Sequence, residues 1–600
     1  MTENFNFIKD LIFNHIDFNF EKEIKVTEYN GVKASYDGNF AVIGCNSKIT
    51  LCRALFLFAL NFNYKPFEIC EKAHFDMLGV KLDVARNGVL KVDTVKEYIL
   101  NLACLGFTHI SFNIEDVFEL KDYPRFGYMR GRYTVSELKK MKEYADIFGI
   151  EFMPSLQTLG HMGQYLKWQE ASAIKDTSEC LLVDEKKTYD FLEAQIKLMR
   201  EIYDSKYIHL GLDEAHDLGT GKFFDLHGYE KRYDIFLRHA NKVFEICKKY
   251  DFKPIMASDM LYRANSKTRS YYDKEVKLSS DMLGDFPKNV VIDYWDYYHT
   301  DKSDYDFLIK EHQNLERELI LSGSIWTWEG FIEDTRFTLD TSIPYLKSAI
   351  ENKEKNFVVC MWGDFGSETN LIHSVGSLTI FSEYCYKGLD CSIEDIYNAS
   401  EFLTKMPYEN RLNISKVHSD FHDDYRFSKK LLYGDIFYNL VNIKYDYDKA
   451  MSDIKFAMDS AKKYMEQSDK NHDYYKYAYY LCKVTYEKCE LINKVREAYK
   501  NNDKGYLKEA SEIKMPQVVS DIKEFHKLFK ADWLRYKKPN GLEVMNIRFG
   551  GICEQINYQI DMIKDYLTGK LDKICELEED VIEDNCKIWH CEVETPSIIN

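Results

Sequence analysis

Two adjacent carboxylates, Asp213 and Glu214, close the apolar run Tyr207-Ile208-His209-Leu210-Gly211-Leu212. The run predicts a short strand that ends on a charged mouth. Neighbouring like charges raise one another's pKa, so one carboxyl can stay protonated while the other stays ionised. Cleavage of a glycosidic bond needs that division: an acid protonates the leaving oxygen, and an anion steadies the cation that develops. On a surface turn an Asp-Glu pair would be solvated and inert. The apolar approach and the flanking His209 and His216 set this pair apart.

The elements that must position the pair follow from the alternation of short apolar runs with helical periodicity. Strands are expected at Phe75–Leu82, His109–Ile114, Glu151–Leu156, Tyr207–Leu212, Pro254–Ala257, Val290–Tyr294, Leu319–Ile325 and Phe357–Met361. Helices are expected between them at Val95–Leu105, Val135–Phe148, Tyr189–Tyr203, Tyr233–Tyr250, Leu308–Glu318, Pro344–Asn352 and Ser374–Tyr386. Eight strands with helical crossovers predict an α/β fold, a (β/α)8 TIM barrel over residues 75–388. A doubly wound open sheet is the alternative, but no Gly-rich phosphate loop follows the first strand.

Residues 1–74 read as a small N-terminal α+β domain. Its strands are Glu23–Tyr29, Val32–Tyr36 and Phe40–Gly44, with hairpin signals at Asn30-Gly31 and Asp37-Gly38 and an amphipathic helix over Ser47–Leu60. Residues 389–600 are charged and Tyr-rich. Long helices at Ile436–Glu466, Asp473–Asn501, Glu509–Phe529 and Cys553–Thr568 predict an all-α domain that docks on the barrel or forms a homodimer interface.

In such a barrel, chemistry collects at the C-terminal strand ends. Strand 1 ends at Asp83 and Arg86, strand 2 at Glu115-Asp116, and strand 3 leads to His161. Strand 5 ends at Asp259, strand 6 at Trp295 with Tyr297, strand 7 at Trp326 and Trp328, and strand 8 at Trp362 with Asp364. The chain has seven Trp, and four fall on the last three strand ends, which points to a site walled by rings.

A net charge of −18 argues against nucleic acid or an anionic membrane as partner. The 15 Cys lack paired spacing and several lie in apolar runs, so buried free thiols of a cytoplasmic protein are expected. No signal pattern opens the chain, and the longest apolar run, Ala54 to Leu60, falls far short of the ~20 residues that span a bilayer.

The strand ends resemble glycoside hydrolase family 20, the β-N-acetylhexosaminidases, and most of all its smaller intracellular members with a C-terminal helical domain. The likeness lies in Leu82-Asp83-Val84-Ala85-Arg86, Gly160-His161-Met162-Gly163, His209-Leu210-Gly211-Leu212-Asp213-Glu214 and Met361-Trp362-Gly363-Asp364. The resemblance implies substrate-assisted, retaining removal of terminal β-linked N-acetylhexosamine without cofactor or metal. Glu214 would be the general acid, and Asp213 would orient the 2-acetamido group, whose carbonyl oxygen is the nucleophile. His161 with Asp116 or Glu115 would tune the acid, and Arg86 and Asp364 would hold ring hydroxyls. Trp295, Trp326, Trp328 and Trp362 would wall the sugar, and Tyr297 would reach the acetamido oxygen. The partner would be an oligosaccharide or glycoconjugate.

One departure stands out: the family usually carries Trp after Pro254 and before Ser-Asp-Met, where this chain has Ala257-Ser258-Asp259-Met260. Two other readings are open on sequence alone. A metal-dependent hydrolase would use His209, Asp213 and His216, with His161 as a fourth ligand. A degenerate barrel would bind glycans without cleaving them, but it would have no need of an acid beside an anion.

Overall fold

The computed structural model describes residues 5–419, 427–438 and 447–580. Four strands form the N-terminal sheet: β1 (Ile24–Glu28), β2 (Val32–Tyr36), β3 (Ala41–Cys45) and β4 (Phe67–Glu71), in the order β1-β3-β2-β4. The hairpin expected at Asp37-Gly38 is present, since β2 and β3 are antiparallel. The one expected at Asn30-Gly31 is not: β1 lies parallel to β3, and β4 takes the free edge of β2. Gly31 turns the chain at φ +137, outside the range a type I′ hairpin turn requires, so the chain steps across a strand. β4 and the helix Phe5–His15 have no counterpart in the sequence expectation.

The helix Lys48–Asn61 starts on a Ser47–Thr50 capping box and is buried from Leu51 through Ala59. It is not amphipathic, because it lies between the small sheet and the barrel helix Val92–Leu105 and so has no solvent face.

Eight parallel strands follow: β5 (Met77–Asp83), β6 (His109–Asn113), β7 (Glu151–Met153), β8 (Tyr207–His209), β9 (Lys253–Ala257), β10 (Val291–Trp295), β11 (Leu319–Ser324) and β12 (Asn356–Met361). They pair in order around the barrel, with β12 returning to β5. β7 and β8 join just beyond the end of β7, where Leu156 N–H donates to the His209 carbonyl at 2.8 Å and His209 N–H to that of Pro154 at 3.0 Å. This is the expected TIM barrel, and every expected strand is found within a few residues.

Two helix expectations of the barrel shift, and the C-terminal helix expected at Cys553–Thr568 begins eleven residues earlier, at Leu542. The helix expected at Leu308–Glu318 runs over Lys302–Gln313, opening on the polar pair Lys302–Asp306, which carries no apolar periodicity. The helix expected to begin at Pro344 begins at Thr335, capped by Asp334, and passes through the proline. The C-terminal domain is helical at Tyr447–Gln467, His472–Lys500, Lys504–Glu509, Met515–Tyr536 and Leu542–Leu567. Residues 439–446 of the first expected C-terminal helix lie outside the described residues. No described helix is long and apolar enough to cross a membrane.

Candidate active site

β8 stops at His209, and the next five residues abandon strand geometry. Gly211, Leu212 and Glu214 all have positive φ (+63, +66 and +50). For non-glycine residues that conformation costs on the order of 1–3 kcal/mol each and persists where surrounding structure holds it. At Gly211 a side chain would be strained by that φ and would have to displace Gln157, whose Oε1 lies 2.0 Å from where a Cβ would sit. The two carboxylates therefore do not alternate across a strand. Both meet His161, itself at φ +55, whose Nε2 is 3.4 Å from Asp213 Oδ2 and 3.3 Å from Glu214 Oε2.

The electrostatics of this trio correct the expectation of mutually raised carboxyls. Burial works against charge on all three groups, but the opposite charges outweigh it. His161 is held well above its ordinary value by Asp213 and Glu214. Asp213 is held far below the usual carboxylate range by His161, and Glu214 is lowered to about 2 by His161 with help from the Tyr271 hydroxyl. These opposite charges favour the proton on His161 over either carboxylate. The carboxyl that stays protonated is Asp259, fully buried next to Asp213 and pushed up to about 8 by burial and by that neighbour's charge. Its Oδ2 accepts the Glu214 backbone N–H at 3.0 Å, bracing the left-handed turn.

A cavity opens over the pair. Arg86, Asp364, Trp295, Tyr297, Trp328 and Trp362 line it with Asp213 and Glu214. Arg86 Nη1 bridges Asp83 Oδ2 (3.1 Å) and Asp364 Oδ1 (2.8 Å), and its guanidinium stacks 4.9 Å from the Trp362 ring. Tyr297 stacks on Trp295 at 5.3 Å, and burial raises its phenol well above the ordinary value. Buried atoms with no partner among the described residues include Asp213 Oδ1, Gln157 Oε1, Trp295 Nε1 and Trp362 Nε1, all on residues of this lining. Unmet polar atoms around one cavity are what a polar ligand would satisfy.

Two expected residues stand elsewhere, and a third, His209, lines the cavity but is committed to other partners. Asp116 is paired with Arg130 (3.1 Å), so of the two carboxylates expected behind His161 it is Glu115 that feels the imidazole's charge. Trp326 lies behind the wall, stacked 4.3 Å from Trp328, with its Nε1 donating to the Tyr297 carbonyl. His209 Nε2 bonds Asp293 Oδ2 (2.9 Å) and its Nδ1 accepts the Gly211 N–H (3.0 Å), which engages both ring nitrogens away from His216. Among the described residues no three His, Cys, Asp or Glu side chains are grouped as a metal site.

Two family models match the chain. "Glycosyl hydrolase family 20, catalytic domain" covers residues 75–306, and "Glycoside Hydrolase 20C C-terminal domain" covers 410–587, together more than half of the chain. The chain belongs to glycoside hydrolase family 20. Among curated relatives it is 26% identical to Hexosaminidase D of Bos taurus over 136 residues, 22% of this chain and 39% of that protein. To Hexosaminidase D of Homo sapiens it is 27% identical over 152 residues, 25% of this chain and 31% of that protein. The chain thus spans less than half the length of these two relatives. To Beta-hexosaminidase subunit beta of Mus musculus it is 22% identical over 333 residues, 52% and 58% of the two chains. An inactive mutant of an exo-β-N-acetylglucosaminidase from Vibrio harveyi aligns at TM-score 0.50 and 14% identity, covering 67% of this chain and 72% of its own. A Streptomyces plicatus β-hexosaminidase mutant in complex with GlcNAc aligns at TM-score 0.50 and 15% identity, covering 66% and 87%. At such identity these structures speak to the fold.

In this family 20 chain the C-terminal domain grips the loops that carry Arg86 and Asp364. Buried Lys537 donates to the carbonyls of Ser367 (2.6 Å) and Thr369 (3.3 Å), and burial lowers its pKa to about 8. Arg548 reaches Glu368 (2.8 Å) and the Phe365 carbonyl (2.6 Å), while Lys538 N–H bonds the Val89 carbonyl (2.7 Å). The helical domain therefore docks on the barrel mouth.

Sequence reasoning missed Tyr271, Gln157, Lys81 and Asn113. Tyr271 comes from the loop after β9, donates to Glu214 Oε1 and packs edge-on against Trp295 at 5.3 Å. Ala257, where the family usually has Trp, lines the cavity. Gln157 and Lys81 were within reach of sequence reasoning, since one lies four residues before His161 and the other two before Asp83 on an inward-facing strand position.

Proposed function

We propose that this chain is a retaining exo-β-N-acetylhexosaminidase that removes terminal β-linked N-acetylglucosamine or N-acetylgalactosamine from oligosaccharides or glycoconjugates. One observation carries the reading: in a family 20 chain, two carboxylates share a histidine at the barrel mouth, beneath a ring-walled cavity.

Asp213 Oδ1 accepts the acetamido N–H and turns the acetamido carbonyl oxygen toward C1. That oxygen attacks C1 as the C1–O bond to the aglycone breaks, and Glu214 gives its proton to the departing oxygen. Glu214 obtains that proton from His161 as the incoming sugar excludes water and removes the solvation of its carboxylate. The oxazolinium formed is positively charged at nitrogen, and ionised Asp213 stabilises it. Glu214 then takes a proton from water, which attacks C1 from the vacated face as the C1–O bond to the acetamido oxygen breaks and the acetamido group is restored, so configuration is retained. Tyr297 donates to the acetamido oxygen, Arg86 and Asp364 hold ring hydroxyls, and the apolar sugar face stacks on the indoles. Every described cysteine is a free thiol, which supports a reducing, cytoplasmic setting.

A thiazoline analogue of the bicyclic intermediate tests this chemistry. It should inhibit competitively and far more tightly than N-acetylglucosamine, and Asp213→Asn should weaken both that inhibition and turnover. A 2-fluoro sugar that labels a carboxylate, found by mass spectrometry of the peptides, would show a covalent glycosyl-enzyme instead.

A further inference from the structure

Beside the outer oxygen of Glu214 the molecule places positive charge that it leaves without ion pairs. Arg263 ends the short helix after β9, and its guanidinium lies 4.0 Å from the ring of Tyr271, whose hydroxyl donates to Glu214 Oε1. Arg263 Nη1 is shielded from solvent and has no hydrogen-bond partner. Arg232, whose Nε touches only the Leu218 carbonyl (3.3 Å), feels the charges of both Arg263 and Arg269. Among the described residues none of these three guanidiniums has a carboxylate within ion-pair distance; Arg132, Arg200, Arg317, Arg411 and Arg496 share that lack but each donates to backbone carbonyls, whereas Arg263 Nη1 has no acceptor.

The acidic groups that face it do not cancel it. Glu214 is already shared by His161 and Tyr271, and Asp259 is held in its neutral form by burial. Asp217 accepts from the Cys180 thiol at 3.1 Å and offsets part of the positive charge at Arg232. His216, also nearby, is kept neutral by burial and by Arg263.

The general acid must touch the oxygen that leaves, so the leaving sugar lies on this side of Glu214. Resting on the functional reading above, we propose that Arg263 and Arg232 form an anion subsite for the leaving group. The residue next to the scissile bond would carry a carboxylate or a sulfate ester, and Tyr271 would give way to it or pack beneath it. A guanidinium presents paired donors that match both oxyanions.

Three disaccharides test this: N-acetylglucosamine β-linked to glucuronic acid, to glucose, and to a sulfated glucose. At low ionic strength kcat/KM for at least one anionic disaccharide should exceed that for the neutral one by about tenfold. The advantage should shrink in about 0.5 M salt. In Arg263→Gln, and further in Arg263→Gln with Arg232→Gln, the anionic-to-neutral ratio should fall toward one. Because the readout is a ratio within one preparation, partial loss of folded protein does not imitate it. Preference for the uronate alone identifies a carboxylate aglycone, and preference for the sulfate alone a sulfated one. A ratio of one or less for both anions, with the neutral disaccharide cleaved, overturns the subsite. Failure to cleave even an aryl N-acetylglucosaminide overturns the functional reading itself.

Discussion

Of the places where a cation sits between two carboxylates, two are built on opposite principles. At the seam of the N-terminal domain and the barrel, Arg53 bonds Glu71 (Nε to Oε2, 3.1 Å) and Glu383 (Nη2 to Oε1, 2.8 Å), with every side chain at most 4% exposed. The cation there cannot titrate, and the backbone is regular helix and strand. At the barrel mouth the cation is a histidine at 3.3–3.4 Å from its partners, Glu214 is 28% exposed at its side chain, and two of the three residues have left-handed backbones. The first trio is a joint whose charges are fixed. The second keeps a mobile proton and an unmet acceptor, Asp213 Oδ1, and accepts backbone strain to do so.

The sharpest contrast comes from neutralising one carboxylate in each. Glu214→Gln should lower kcat for substrates with poor leaving groups by about 10²–10⁴, with little change in stability. Glu383→Gln should do the reverse, costing about 3–5 kcal/mol because Arg53 loses a buried partner. Its kcat per folded molecule should be unchanged. Denaturant unfolding and steady-state kinetics on both variants would separate the two; parallel losses would erase the distinction.

Titration sharpens it next. His161 loses its proton as pH rises through a pKa raised above 6.5, so activity should hold past neutrality before its alkaline limb falls. In His161→Asn, Glu214 must hold its own proton without the neighbouring cation, and the limb should move to lower pH. A pH profile of kcat/KM reads this directly. Asp259 makes a separate, thermodynamic signature. Its pKa is about 8 in the folded chain against the ordinary 3.8 of an unfolded one, so the folded state holds the extra proton between those values. That contribution is complete below the unfolded value and is lost as pH rises toward about 8. Asp259→Asn, which keeps an acceptor for the Glu214 N–H, should flatten the decline in stability across this window, measured by thermal melts at several pH values.

The smallest effect concerns the grip of the helical domain. Lys537→Met should raise KM several-fold, through loosened loops around Arg86 and Asp364, with kcat changed less; equal loss in both would assign Lys537 to the chemistry or to global stability.

How much of the molecule is legible in its sequence follows from range. The barrel can be read because each strand and crossover helix carries its own period, and the Asp213–Glu214 pair because its two members are adjacent. The ring wall is legible nearly as built because strand ends gather at one face in any such barrel; only Trp326 lies one layer deeper than its position implies. What escapes depends on contacts between distant segments. Asn30-Gly31 has hairpin chemistry, but β3 outcompetes β2 for β1. Arg130 claims Asp116 from 14 residues away, and Tyr271 reaches Glu214 across 57. The mutual raising expected of neighbouring carboxylates is sound for the pair alone and fails because a third residue, His161, stands between them.

The central claim, that Asp213 serves the substrate's own acetamido group, is tested most directly by aryl β-glycosides of N-acetylglucosamine, N-acetylgalactosamine, glucose and galactose under one set of conditions. Turnover should be confined to the two 2-acetamido sugars, whereas comparable turnover of the glucoside or galactoside would contradict it.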